Sequence, residues 1–304
     1  MRKLIYFIIL IIISISCTEK FELDSQINTN QIVIESFISD KDSLPNTAFQ
    51  SSIILNYVRV SKVNPSLSVS NQQYEGQGIT PVNNATVIIS DNLGNIDTLL
   101  VGGGNININP KGYYYLQNFK GICGRTYYLY VKVGEQVYTS STIMHEVVNL
   151  DSMHIPNSFI SNKDGKQVFN EGVKVFFSDP INEKNYYLIK IRNGNWMYSI
   201  IDDRFLSSDI NTIGYMLDDG ENSKYWFNNY LILENIIKNG GTISVTMTAL
   251  DKQSYYYYMS LKQQFTNDGG VYSPAPASPK GNISNGALGY FRASSISYIS
   301  GRPR

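Results

Sequence analysis

Histidine is nearly missing from this chain: His145 and His154 are the only two in 304 residues. A zinc site takes three or four nitrogen or sulfur ligands, and two histidines with one lone internal cysteine fall short of that set. A Ser–His–Asp or Cys–His relay would have to draw on one of the same two residues, and neither stands near a nucleophile-elbow motif. Cysteine is as scarce, with Cys17 and Cys123 alone, so no disulfide framework is expected. Charge of either sign is low. Lys and Arg total 25, Asp and Glu total 25, and together they make up 16% of the residues. No segment gathers the basic cluster that a phosphate backbone requires, which excludes nucleic acid as an expected partner. Gly102-Gly103-Gly104 is not a phosphate loop, because no Lys-Ser/Thr follows it and no helix opens there. Long hydrophobic runs are missing as well, apart from residues 4–13.

That one run carries an address. Arg2 and Lys3 precede it, Ser14-Ile15-Ser16 closes it, and the chain then turns polar through Thr18, Glu19, Lys20, Glu22 and Asp24. A basic start, a short apolar stretch and small residues at a break in polarity are the marks of a secretory signal peptide. The run is too short to cross a bilayer core of roughly 30 Å as a helix. Cys17 stands directly after the small residue, an arrangement that resembles the lipobox of bacterial lipoproteins, although Ser14 occupies a place where Leu is commoner. The expectation is cleavage behind Ser16 and acylation of Cys17 by palmitate-type chains, against the alternative of an ordinary signal with an incidental cysteine. One acyl chain holds a protein only marginally; the three typical of bacterial lipoproteins would make the anchor permanent. Residues 1–16 are then the signal and 17–30 a polar tether. Without Arg2 and Lys3 the remaining chain carries a net charge of about −2. With Cys17 acylated, Cys123 has no partner. It sits in Gly121-Ile122-Cys123-Gly124 and is expected to be a buried, inert thiol.

The rest of the chain reads as mainly β: two β-sandwich-like domains with one principal helix in the second. Short strands punctuated by turn residues every 8–12 positions support this class. Residues 31–147 form the expected N-terminal sandwich, Ig-like or carboxypeptidase-regulatory-like, and residues 148–304 a C-terminal β-rich domain with its helix over 251–267. Ile32 to Ile38 is a β-branched strand, Ser51 to Val63 a long alternating one, and Asn64 to Thr80 a loop. Strands are also expected at Ala85 to Ser90, Thr98 to Val101, Gly124 to Val131 and Val137 to Ser140. In the triplet Tyr113-Tyr114-Tyr115 alternation buries one face only, leaving at least one ring wet. Val173 to Phe177 and Tyr186 to Ile191 are expected to pair across Asp179-Pro180. Residues 226–238 fit either strand or helical spacing. Asp251 is the expected N-cap of the helix, and a last strand is expected from Leu288 to Tyr298.

Two groups of residues invite a site. Asp202, Asp203, Asp209, Asp218, Asp219 and Glu221 cluster in sequence, and hard cations take several oxygen ligands. Asp202, Asp203, Asp218 and Asp219 are therefore candidate calcium ligands, although the spacing matches no EF-hand. The same carboxylates raise a glycan-acting hydrolase, which needs two of them at a suitable separation. The second group is aromatic: Trp196, Tyr225 and Trp226 are candidate ligand-binding platforms, with burial in the second core as the alternative. No catalytic residue and no cofactor is expected.

Several stretches in order resemble one family. They are the lipobox at Cys17; Ile32-Val33-Ile34-Glu35-Ser36-Phe37-Ile38-Ser39; Pro81-Val82-Asn83-Asn84-Ala85-Thr86-Val87; Gly124-Arg125-Thr126-Tyr127; and Gly281-Asn282-Ile283 followed by Gly286-Ala287-Leu288-Gly289-Tyr290-Phe291-Arg292-Ala293-Ser294-Ser295. The chain is similar in these to outer-membrane lipoproteins catalogued as domain of unknown function 4249, often encoded beside TonB-dependent receptors. The resemblance implies an outer-membrane, lipid-anchored protein with a TonB-dependent receptor as partner; both the periplasmic and the cell-surface face are open to it, and Glu19 and Lys20 after the cysteine favour the surface. It implies a non-catalytic accessory or binding role in nutrient uptake. A surface adhesion or scaffold module is the alternative. In the last motif Gly281, Gly286 and Gly289 suit positive-φ or close-approach positions, so the run is expected to maintain the fold.

Overall fold

The computed structural model describes residues 31–44, 53–63, 79–102, 111–118, 120–155, 159–163, 166–169, 173–180, 184–195, 198–209, 212–217, 226–227, 230–233, 237–238, 242–266 and 279–302. The fold is mainly β, in several sheets with a single helix among these residues. The strand Ile32–Ile38 is central to the first sheet. Its residues Ile32, Ile34 and Ile38 are buried on one side, while Glu35 is exposed on the other, the two-residue period of a half-buried strand. It pairs antiparallel with Tyr57–Val63, which pairs in turn with Tyr113–Tyr115 and through it with Leu100–Val101. A second sheet runs in the order Gln136–Ile143, Thr126–Val133, Thr86–Asp91, Ile96–Thr98. Ile34, Val58, Val60 and Tyr114 from the first meet Val87, Ile89, Tyr127, Leu129 and Val131 from the second in one core. Burying each large side chain contributes about 1.5–3 kcal/mol.

The expected long strand from Ser51 to Val63 is divided. Ile53–Ile54 and Tyr57–Val63 are separate strands, because Asn56 takes a left-handed φ of 63°. Asn tolerates that region better than most residues. Its side-chain carbonyl accepts the Ser39 N–H, and its amide donates to the Lys41 carbonyl at 2.8 Å.

The C-terminal run differs more. The single strand expected from Leu288 to Tyr298 is two strands in two sheets. Leu288–Ala293 lies parallel to Ile32–Ile38, with Val33 opposite Leu288 and Ile38 opposite Ala293. Residues grouped by sequence with 148–304 thus complete the first core, to which Ile283, Ala287, Phe291 and Ala293 belong. Ile296–Gly301 pairs instead with Thr242–Leu250. The break between them is fixed by hydrogen bonds. Ser294 N–H donates to Ile38 O at 2.9 Å and Ser295 N–H to His145 O at 3.0 Å. Ser295 Oγ accepts from Val147 N–H, and Ser297 Oγ from Leu150 N–H, both at 2.7 Å. These bonds tie down the segment that carries the chain from the first core to the second.

Two further sheets enclose the second core. One runs Thr212–Leu217, Tyr198–Asp209, Tyr186–Asn195, Thr242–Leu250, Ile296–Gly301; the other runs Leu150–His154, Val173–Phe177, Tyr230–Leu233, Trp226–Phe227. Val173–Phe177 and Tyr186–Asn195 therefore do not pair as expected. They face each other across the core, where Val173, Val175 and Phe177 pack with Tyr187 and Ile189. The segment that fits both spacings forms short strands at Trp226–Phe227, Tyr230–Leu233 and Ile237–Lys238.

The helix Lys252–Thr266 starts as expected: Asp251 Oδ1 accepts the Ser254 N–H at 2.5 Å, an N-cap bond. Tyr255 packs with Tyr186, Leu188 and Leu250 on the outside of the five-stranded sheet. Tyr257 and Tyr258 reach Tyr290 of the first sheet, with ring centroids 4.9 and 6.2 Å away. The helix thereby joins the outer faces of the two halves. No helix among the described residues is long and apolar enough to cross a membrane.

Candidate functional site

Alternation along Tyr113–Tyr115 sends the three rings to two places. Tyr114 is buried in the first core. Its hydroxyl donates to Val82 O at 2.8 Å and accepts the Ala85 N–H at 2.9 Å, and burial pushes its pKa up. Tyr113 and Tyr115 are half-buried on the other side, as the parity of the triplet requires. Tyr57 joins them across the neighbouring strand. The Tyr57–Tyr113 and Tyr113–Tyr115 centroids are 5.2 and 6.3 Å apart. The Arg59 guanidinium lies 5.4 Å over the Tyr113 ring and pairs with Glu35 at 3.1 Å. Burial first, then neighbouring Tyr113, raises the Tyr57 hydroxyl well above its ordinary value.

The row of rings ends at a cleft. Asp42, Leu55, Asn56, Tyr115, Leu116, Gln117, Asn118 and Lys120 line a volume of about 430 Å³, within the range of small-molecule sites. Its walls come from three separate segments, and a buried carboxylate holds one of them in place. Asp97, 1% exposed, accepts the backbone N–H groups of Gln117 and Asn118 at 2.7 and 2.8 Å, and the Asn118 side-chain amide at 2.8 Å. Leu116 N–H donates to Asn56 O at 3.2 Å, and Leu55 N–H to Asp42 O at 3.0 Å. The N–H groups of Leu55, Leu116, Gln117 and Asn118 are thus engaged within the protein, and these positions offer a ligand their side chains. Tyr115 offers a ring and a hydroxyl. Gln117 and Asn118 offer carbonyl oxygens that receive no donor among the described residues. Asp42 and Lys120 face each other at 3.8 Å.

Of the candidate calcium and ligand residues singled out by sequence, Asp202, Asp203 and Trp226 are described. Asp202 and Asp203 lie within the strand Tyr198–Asp209, opposite Ile191 and Lys190. Trp226 opens the strand Trp226–Phe227 opposite Leu231. Cys17, Trp196, Asp218, Asp219 and Tyr225 lie outside the described residues. None of these is among the described residues that line the cleft. Among the described residues no three His, Cys, Asp or Glu side chains come together as a metal site would require. Cys123 is half-buried against the first core, and burial pushes its thiol pKa up. His145 forms an isolated parallel bridge with Ser294.

Sequence reasoning reached only a wet ring somewhere in the Tyr113–Tyr115 triplet and missed the walls of the cleft.

The C-terminal motif has a structural duty at nearly every position. Asn282 Oδ1 accepts the Phe291 N–H at 2.8 Å and its amide donates to Phe291 O at 2.7 Å, so one side chain occupies both backbone groups of Phe291. Ser284 Oγ accepts the Thr139 N–H at 2.7 Å and Asn285 donates to Val137 O at 3.1 Å, fastening the loop to the second sheet. The Arg292 guanidinium sits 4.0 Å over Phe37 and 5.5 Å from the Tyr258 ring.

The family described as Domain of unknown function (DUF4249) matches residues 18–299. No curated protein and no solved structure matches the chain.

Proposed function

The chain belongs to the DUF4249 family, and from that premise we propose that it is a non-catalytic binding lipoprotein of the outer membrane, accessory to TonB-dependent uptake of a nutrient. The cleft beside Tyr115 carries the reading. It is concave, one of its three walls is braced by Asp97, and its lining holds amides, a phenol and one opposed charge pair. Such a lining binds and orients a ligand. Cys17 after its short apolar run supplies the anchor, and the common placement of such family members beside TonB-dependent receptors supplies the partner.

Crosslinking in native outer membranes, followed by mass spectrometry of the adducts, tests the role. A receptor barrel should be recovered with the lipoprotein. Recovery of none, under conditions that retain an established receptor–lipoprotein pair, overturns the accessory role and leaves the adhesion module in its place. The anchor is tested separately: an alkyne-labelled fatty acid should mark the wild-type chain and leave Cys17→Ala unmarked.

A further inference from the structure

We infer that the ligand of the cleft is a neutral, hydroxyl-rich molecule, a short oligosaccharide, held by the side chains of the cleft. The inference rests on the binding role proposed above and narrows it to a ligand class. Three features of the cleft lead there.

The first is electrostatic. The lining holds one carboxylate and one ammonium, Asp42 and Lys120, 3.8 Å apart and 78% and 57% exposed. Opposite charges at that distance cancel at range, and an exposed pair is further screened by salt. Nothing in the lining favours a ligand of one charge sign.

The second concerns the backbone. A peptide that adds as a strand needs a free edge of main-chain N–H and C=O groups. Here Leu55, Leu116, Gln117 and Asn118 all have their N–H groups bonded inside the protein. Tyr113–Tyr115, the strand that leads into the cleft, is paired on both sides, by Tyr57–Val63 and Leu100–Val101. Along Leu116, Gln117 and Asn118 no N–H is left for an added strand.

The third is the chemistry that remains. The Gln117 and Asn118 carbonyl oxygens and the Asp42 carboxylate accept hydrogen bonds, and Lys120 and the Tyr115 hydroxyl donate them. The Tyr115 ring provides a flat apolar face beside them. A sugar presents both matching surfaces, hydroxyls around its edge that donate and accept, and C–H groups on its face that pack on an aromatic ring. A wholly apolar ligand would leave the amide carbonyls without donors, a desolvation cost that opposes binding.

The test uses the acylated chain in a non-glycosidic detergent, since a sugar-headed detergent would compete. Cellohexaose, maltohexaose and mannohexaose are titrated by calorimetry, with oligogalacturonate as the charged arm and an uncharged hexapeptide as the peptide arm. At least one neutral hexaose should bind saturably. Tyr115→Ala should weaken it about tenfold or more, Tyr115→Phe should stay within about threefold, and Gln117→Ala should weaken it measurably. Tyr128→Ala, on an exposed ring of the second sheet, should leave binding unchanged. If Tyr115→Ala loses its β circular dichroism spectrum, Gln117→Ala and Asp42→Asn decide, because both alter exposed side chains. The inference falls if no neutral hexaose binds, if binding is indifferent to the cleft variants, or if only the charged oligomer or the peptide binds. Receptor crosslinking reports separately: a receptor recovered without hexaose binding would refute the ligand class and leave the accessory role standing.

Discussion

Gly289 and Gly286 are three residues apart, both with positive φ, and they should respond very differently to the same substitution. Gly286 has φ +71° and open space around the position a Cβ would take. Gly286→Ala therefore meets backbone strain alone, about 1–2 kcal/mol. Gly289 has φ +102°, and a Cβ there would stand 2.0 Å from the Ile34 carbonyl oxygen, where no Cβ approaches within 3.0 Å. That oxygen belongs to the backbone of the central strand and has no rotamer to retreat into. Relieving the clash needs about 1 Å of separation between Leu288–Ala293 and Ile32–Ile38, enough to take N–H···O bonds out of their 2.7–3.2 Å range. Two or three such bonds at about 1 kcal/mol each, added to the same backbone strain, make Gly289→Ala cost about 4 kcal/mol. Urea unfolding of the two variants, followed by far-UV circular dichroism, measures the difference. Equal midpoints for Gly289→Ala and Gly286→Ala would show that the parallel strand gives way easily and that the argument from contact is wrong.

Other variants probe other joints. Tyr114→Phe leaves Val82 O and Ala85 N–H without their buried partner, and should cost about 1–3 kcal/mol in the same titration. Ser295→Ala removes the acceptor of the Val147 N–H; a similar loss is expected, accompanied by faster proteolytic cutting between residues 144 and 150. Asp91 gives a pH signature. Burial alone would raise its pKa, but hydrogen bonds from Asn95, Arg125 and Leu93 outweigh burial and bring it from 3.8 to about 2. A folded-state pKa below the unfolded value contributes stability above about pH 4, which is lost as pH falls through about 2. Asp91→Asn should therefore be the less stable protein at pH 7, and the gap between the two should close on acidification through that window. A gap that stayed constant with pH would refute the role of the charge.

What sequence could show was local. The strand Ile32–Ile38 was legible because β-branched residues alternate there between two environments, and the helix because Asp251 precedes a tyrosine-rich run with no breaker. That one face of Tyr113-Tyr114-Tyr115 is buried and the other wetter followed from parity; which ring would be the buried one did not. The interruption at Asn56 was not legible, since an alternating run continues past it and the left-handed turn is held by Ser39 and Lys41, far back in the chain. Pairing was hidden for the same reason. Nothing near Leu288 says that its neighbour is Val33, and nothing near Phe177 says that Tyr187 faces it across a core. The cleft was the least visible part. Its walls are three segments brought together by tertiary contacts, and the carboxylate that holds one of them, Asp97, reads in sequence as an ordinary polar residue after a turn.

The parallel pair at the edge of the first sheet also sets a timetable. Val33 must wait for Leu288, and at ribosomal speeds of about 5–20 residues per second the second strand is made roughly 13–50 s after the first. Over that interval one side of Ile32–Ile38 offers unpaired N–H and C=O groups along a β-branched, largely apolar stretch, the kind of edge that recruits other chains. Closing it brings together residues from the two ends of the described chain, so a nascent protein has little local structure to protect it. A holding chaperone, or a path that keeps the chain extended until residue 293 has emerged, is the natural companion of this topology. A stall before Leu288 would leave the first sheet still open on that side of Ile32–Ile38.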